Sequence, residues 1–158
     1  MSRWKGIVLH CSASGWGTEK DVDSWHKRRG WRGTGYHFVI DNGYYANDLC
    51  IDAMDGSIEA GRNLFSRGAH ALNYNRSHLG ICGISNGTYT RAQAISIYKL
   101  VNELRVMFDI SIENIIGHNE TGSPKECPCY EVSKLREALE LDDMSAFVNY
   151  LVGANNGV

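Results

Sequence analysis

The chain has 158 residues, 43% of them hydrophobic and 22% charged, and a formal net charge of −2. That length suits one domain able to hide about two-thirds of its unfolded surface from water, and the near-neutral charge leaves no electrostatic case for nucleic acid or an anionic membrane as the main partner. Five cysteines, an odd number, follow an N-terminus whose apolar run Ile7 to Cys11 is too short for a signal peptide or a bilayer span. This speaks for reduced thiols and against a disulfide framework, with metal binding the expected use of at least one of them.

Ile7-Val8-Leu9 reads as a short buried strand that delivers His10 to its C-terminal end, where Cys11-Ser12-Ala13-Ser14 stops it. Thr18 to Arg29 reads as a helix, with Thr18 as N-cap, Glu19 and Asp21 in the first turn, and Gly30 as stop. Tyr36 to Ile40 is a second strand, with Tyr36, Phe38 and Ile40 on one face and His37 and Val39 on the other; Asp41-Asn42-Gly43 then turns the chain. Tyr44 to Ile51 is a third strand or an insertion, Asp55-Gly56 another turn, and Ser57 to Ala60 a short strand. Gly61 to His78, poor in periodic apolar residues, reads as a long surface loop of the kind that carries function.

Leu79 to Ile84 is a further buried strand. Thr90-Arg91-Ala92-Gln93 matches a capping box, and Ala94, Ile97, Tyr98, Val101, Leu104 and Phe108 follow at helical spacing, so the pattern predicts a helix over 91–108. Ile115-Ile116 is a last core strand ending at His118. Val132 to Leu141 is a helix, Asp142-Asp143 caps another through Leu151, and the tail 153–158 is expected to be mobile. Strands interleaved with helices give an α/β fold, a central mixed β-sheet of about five strands flanked by helices, in a single domain over 1–158 with its core at about 5–141.

The chemistry gathers in the loop from Gly117 to Tyr130, which offers an imidazole (His118), a carboxylate (Glu120), an ammonium (Lys125) and a thiol (Cys127), while Gly122 and Pro124 exclude a helix. Imidazole and thiolate suit zinc, but two ligands are too few. His10, also at a strand end, is the best third. Two neutral imidazoles and one thiolate leave a +1 zinc site with an open position, suited to amide hydrolysis. Cys127-Pro128-Cys129 leaves open a closed structural site using both thiols, and Cys127 or Cys11 as the nucleophile of a cysteine hydrolase is a further alternative. Glu120 either assists the reaction or orients His118.

The motifs Val8-Leu9-His10-Cys11-Ser12-Ala13, Gly35-Tyr36-His37-Phe38-Val39-Ile40, Gly56-Ser57-Ile58-Glu59-Ala60-Gly61-Arg62, Gly68-Ala69-His70-Ala71 with Tyr74-Asn75, Gly80-Ile81-Cys82 and Gly117-His118 to Cys127-Pro128 run in one order over about 130 residues. Together they resemble the zinc-dependent N-acetylmuramoyl-L-alanine amidases of the phage lysozyme and peptidoglycan recognition protein superfamily. The resemblance implies that fold, Zn²⁺ held by His10, His118 and Cys127, Tyr36 beside the metal, Lys125 on the oxyanion, and His70 and Asn75 lining the substrate groove. It further implies hydrolysis of the bond between N-acetylmuramic acid and L-alanine by a monomeric endolysin whose partner is peptidoglycan. Such an enzyme, phage-encoded or from a prophage, would stay cytoplasmic until released to the cell wall. A non-catalytic peptidoglycan-binding module of the same fold is the alternative that the presence of Cys127 counts against. Residues 44–54, Cys129 and the tail depart from the compact family pattern.

Overall fold

The computed structural model describes residues 3–153. Five strands, β1 (Gly6–Cys11), β2 (Phe38–Tyr44), β3 (Cys50–Ala60), β4 (His78–Gly83) and β5 (Ile115–Gly117), form one sheet in the order β3-β2-β4-β1-β5. β2 and β3 are antiparallel and every other pair is parallel, so the sheet is mixed as expected. Four helices accompany it: α1 (Glu19–Arg28), α2 (Arg91–Phe108), α3 (Val132–Glu140) and α4 (Met144–Gly153). The expected tail beyond Gly153 lies outside the described residues. Among the described residues no helix is long and apolar enough to cross a membrane.

The side-chain period of β1 splits the molecule. Ile7, Leu9 and Cys11 enter the main core with Ile97, Val101 and Leu104 of α2, Leu135 of α3 and Phe147 of α4. Val8 and His10 therefore point to the opposite face, the one carrying α1, where Val22, Val39 and Ile84 form a second, smaller core. Helix α2 begins as its sequence prescribes: Thr90 Oγ1 accepts from the Gln93 amide at 3.0 Å, and Gln93 Oε1 accepts from the Thr90 amide at 3.1 Å. At the start of α1, the Asp21 carboxylate accepts from the Thr18 amide at 2.9 Å, and Glu59 of β3 accepts from the Glu19 amide at 2.9 Å, which ties the helix to the sheet.

The hairpin departs from expectation. Asp41-Asn42-Gly43 and Asp55-Gly56 do not reverse the chain; they are irregularities inside two longer strands, and the reversal falls at the 3₁₀ turn Ala46–Asp48. Gly43 and Gly56 both sit at φ +79°, a left-handed conformation that glycine adopts without expense, at the two places where the register shifts and β3 carries the extra residues. Gly56 has a second reason to lack a side chain, since a Cβ there would lie 2.8 Å from the Ala92 carbonyl oxygen.

Tyr36 and His37 precede β2 rather than opening it, so strand alternation does not extend to them. Tyr36 packs with Val22 and Val39 on the α1 face, while Phe38 and Ile40 belong to the main core. The shared face expected for Tyr36, Phe38 and Ile40 is thus corrected.

Candidate metal centre

Parallel pairing of β1 and β5 sets Leu9 against Gly117, so the residues that follow, His10 still within β1 and His118 just past β5, come side by side at the C-terminal end of the two strands. Their rings stand 4.6 Å apart between centroids. The loop after His118 folds back, with the Asn119 amide donating to the Cys127 carbonyl at 2.8 Å, and carries the Cys127 thiol to the same point. One ligand atom each from His10, His118 and Cys127 lie within 4.8 Å of one another, a group able to hold a metal ion. Cys127 Sγ is 3.8 Å from His10 Nδ1 and accepts from the Cys11 amide at 3.1 Å. Nitrogen, nitrogen and sulfur donors from three separate segments fit a zinc-type ion with an open fourth position.

Hydrogen bonding fixes which nitrogen of His10 is available. The Nε2 atom of His70 is 3.1 Å from the His78 carbonyl, which can only accept, so a neutral His70 carries its proton there and its Nδ1 is an acceptor. His10 Nε2 lies 3.0 Å from that Nδ1 and must donate to it. A neutral His10 then presents the bare Nδ1 lone pair toward Cys127 and the metal position. Both rings are held neutral: burial, then the neighbouring His70, His118 and Lys125, depresses the His10 pKa, and burial above all brings that of His70 down to about 3.

The site opens into a cleft of about 470 Å³ whose lining includes Trp25, His26, Trp31, Tyr36, His70 and Lys125. The Tyr36 ring is 5.0 Å from that of His10. Burial and the neighbouring Cys82 and Cys127 thiols push its phenol well above the usual range, so it stays a donor at neutral pH. Lys125 is exposed at the rim, and its charge, after burial, lowers the pKa of His118. Asn75 does not line this cleft; it sits behind, its Oδ1 accepting from the amides of His70 at 2.6 Å and Ala71 at 2.9 Å. Glu120 is likewise indirect. Its carboxylate accepts from the Gly117 amide at 2.7 Å and pairs with Arg136 at 2.9 Å, so it clamps the 3₁₀ turn His118–Glu120 rather than the His118 ring.

The cleft wall built by α1 and the turn after it is not among the sites expected from the sequence. His26 Nδ1 accepts from the Gly35 amide at 2.9 Å and so sets the segment leading to Tyr36, and the Trp31 ring packs at a tilt 4.6 Å from the His26 ring. A second, more open cleft of about 780 Å³ shares Ala69 with the first and is lined by Arg32, Arg62 and Arg67 as well as Glu19 and Asp23. The guanidinium of Arg62 is braced by the carbonyls of Thr34 at 2.7 Å and Arg67 at 2.6 Å. Three arginines in one cleft suit a carboxylate-bearing ligand. The signal for this wall was available in Trp25 and Arg62, but neither has the spacing of a chemical motif.

The sequence profile of the N-acetylmuramoyl-L-alanine amidase family matches residues 1–130. An endolysin of Escherichia phage T7 is 30% identical over 146 residues, covering 85% of this chain and 87% of the relative; one of Klebsiella phage KP32 matches at the same identity and coverage. Among solved structures, the N-acetylmuramoyl-L-alanine amidase LysC from Clostridium intestinale superposes with a TM-score of 0.74 at 26% identity, covering 88% of this chain and 87% of the other. Drosophila PGRP-LB shares the fold, with a TM-score of 0.63 at 22% identity over 81% of this chain and 76% of its own.

Proposed function

The chain belongs to the N-acetylmuramoyl-L-alanine amidase family and is a peptidoglycan amidase; from that premise we propose that it cleaves the amide between N-acetylmuramic acid and L-alanine with zinc held by His10, His118 and Cys127. The observation that carries this reading is the convergence of those three donor atoms within 4.8 Å at a cleft of about 470 Å³. When bound, zinc supplies Lewis-acid polarisation of the scissile carbonyl and acidifies water.

The chain's own groups do the rest. His10 keeps its Nδ1 lone pair available because Nε2–H is engaged by His70. Tyr36, a neutral phenol, donates to negative charge developing on the carbonyl oxygen. Lys125, at the rim, adds a positive charge to the same region, where one well-placed donor contributes about 3–4 kcal/mol. His70 and Asn75 serve the groove from its wall, His70 through His10 and Asn75 by fixing the His70 backbone. The arginine-lined cleft beside the metal position receives the carboxylates of the stem peptide. The similarity to phage endolysins supports a phage-encoded lysis enzyme; that it acts as a monomer and reaches the wall once the membrane is breached is part of the proposal.

Muropeptide hydrolysis followed by mass spectrometry tests the reading. Free stem peptide should be released by the zinc-loaded protein, cease on chelation, return with zinc, and be absent in Cys127→Ser. Cleavage that survives chelation but stops on alkylation would replace it with a cysteine hydrolase. Binding of muropeptide by zinc-loaded protein without cleavage would replace it with a recognition module.

A further inference from the structure

Cys129 is not among the converging donors, although it lines the same cleft; its thiol meets that of Cys11. Cys129 Sγ lies 3.5 Å from Cys11 Sγ, across the seam between the end of β1 and the ligand loop. Cys129 is exposed and Cys11 nearly buried, so an oxidant in solution meets the first and the second waits behind it. Cys129 also sits at φ +71°, a conformation a non-glycine residue seldom takes, and this turn aims its side chain back at β1.

We infer that Cys11 and Cys129 form a thiol pair that closes to a disulfide on exposure to a low-molecular-weight disulfide oxidant, stapling β1 to the loop that carries Cys127. The inference uses the proposed assignment of Cys127 to the metal, because Cys127 is the competing thiol: its Sγ accepts from the Cys11 amide at 3.1 Å and lies 3.9 Å from the Cys11 carbonyl oxygen. With Cys127 committed to zinc, Cys129 is the partner left to Cys11.

The exchange balances without further reagents. Cys129 sulfur attacks one sulfur of the oxidant; that S–S bond breaks and one thiol leaves with the proton Cys129 gave up. Cys11 sulfur then attacks Cys129 sulfur, expels the second thiol, and completes the bond. Two cysteines are oxidised by two electrons, and the oxidant is reduced to two thiols. The sulfurs must close from 3.5 Å to a bond length of about 2.05 Å.

The bond would join the ends of a loop comprising most of the chain, which constrains the unfolded ensemble strongly. It would also hold the ligand loop where its present anchor, the hydrogen bond from Tyr89 hydroxyl to the Pro128 carbonyl at 2.8 Å, already keeps it. The result is a metal site that becomes harder to open as the surroundings become oxidising.

The test is incubation of zinc-loaded protein with oxidised glutathione, followed by intact mass, non-reducing peptide mapping, zinc content and thermal unfolding. The expected product has lost two hydrogens from the pair, shows a Cys11–Cys129 linked peptide, retains its zinc, and unfolds about 5 °C or more higher. Cys11→Ser should stop at a glutathione adduct on Cys129, and Cys129→Ser, an exposed change, should leave Cys11 unmodified. A link through Cys127 with release of zinc, a glutathione adduct that persists on Cys129 in the unaltered chain, or no reaction at Cys129 would each overturn the inference. Because these readouts do not use hydrolysis, they stand apart from failure of the amidase reading. A zinc-free control in which the link shifts to Cys127 would uphold the ligand assignment by itself.

Discussion

Replacing His70 by alanine is the most direct probe of how the metal position is built. The imidazole accepts the Nε2–H of His10 at 3.0 Å at the inner wall of the cleft, with His10 3% and His70 9% exposed. Removal leaves the His10 N–H buried without an acceptor, costing about 1–3 kcal/mol, and frees the ring to rotate or to change tautomer so that Nδ1 no longer faces the metal. Loss of such a supporting hydrogen bond lowers metal affinity about 10–100-fold, equivalent to about 1.4–2.7 kcal/mol, which agrees with the hydrogen-bond figure. The assay is competition for zinc against a chromophoric chelator at pH 7.5, with urea unfolding of the metal-free protein in parallel. His70→Gln, whose side-chain carbonyl can accept, should recover part of the affinity while sharing much of the packing loss. Zinc affinity within twofold of the unaltered chain in His70→Ala, or equal weakening in Ala and Gln, would refute an orienting role.

Tyr36→Phe and Lys125→Ala should each lower kcat about 10²–10³-fold while leaving zinc affinity nearly unchanged, since neither donates to the metal; steady-state kinetics with metal analysis separates the two effects. Gly80→Ala would bring a Cβ to 2.6 Å from the His70 ring, and should cost about 1–3 kcal/mol in unfolding experiments and weaken zinc binding through the displaced ring. Asp41 is fully buried on β2, and burial, with the Glu59 carboxyl beside it, pushes its pKa up to about 8. The folded chain therefore holds a proton between about pH 4 and 8 that the unfolded chain releases, and stability falls as pH rises through this window by up to about 1.4 kcal/mol per unit. Asp41→Asn should flatten that slope and be the more stable protein at pH 8, as measured by urea unfolding at pH 5 and 8; parallel pH profiles for the two proteins would disprove the buried proton.

Helix α2 was legible because capping chemistry and apolar spacing are both local, and the structure keeps its bounds at Arg91 and Phe108. The strand runs before His10 and His118 were legible for the same reason: short β-branched stretches that end in a histidine say where the side chain emerges. The hairpin was not, because Asn42-Gly43 and Asp55-Gly56 carry the same left-handed preference whether the chain reverses there or only bulges, and the choice depends on the strand opposite. The face of Tyr36 is not legible from alternation, because the period of two holds only within a strand and β2 begins at Phe38.

What the sequence determined by itself was the donor chemistry: two imidazoles, a thiol and an ammonium, on segments whose ends are set by local preference. What the tertiary structure decided was their relation. Parallel pairing of β1 with β5 brings His10 beside His118, the fold-back of the loop chooses Cys127 for that point and leaves Cys129 to Cys11, and His70 comes to lie behind His10 across a sheet neighbour. Those contacts join residues 60 to 118 positions apart. Registers of pairing at that separation are settled by packing the whole sheet between α1 and the helical core, a global minimisation that no local stretch of sequence encodes.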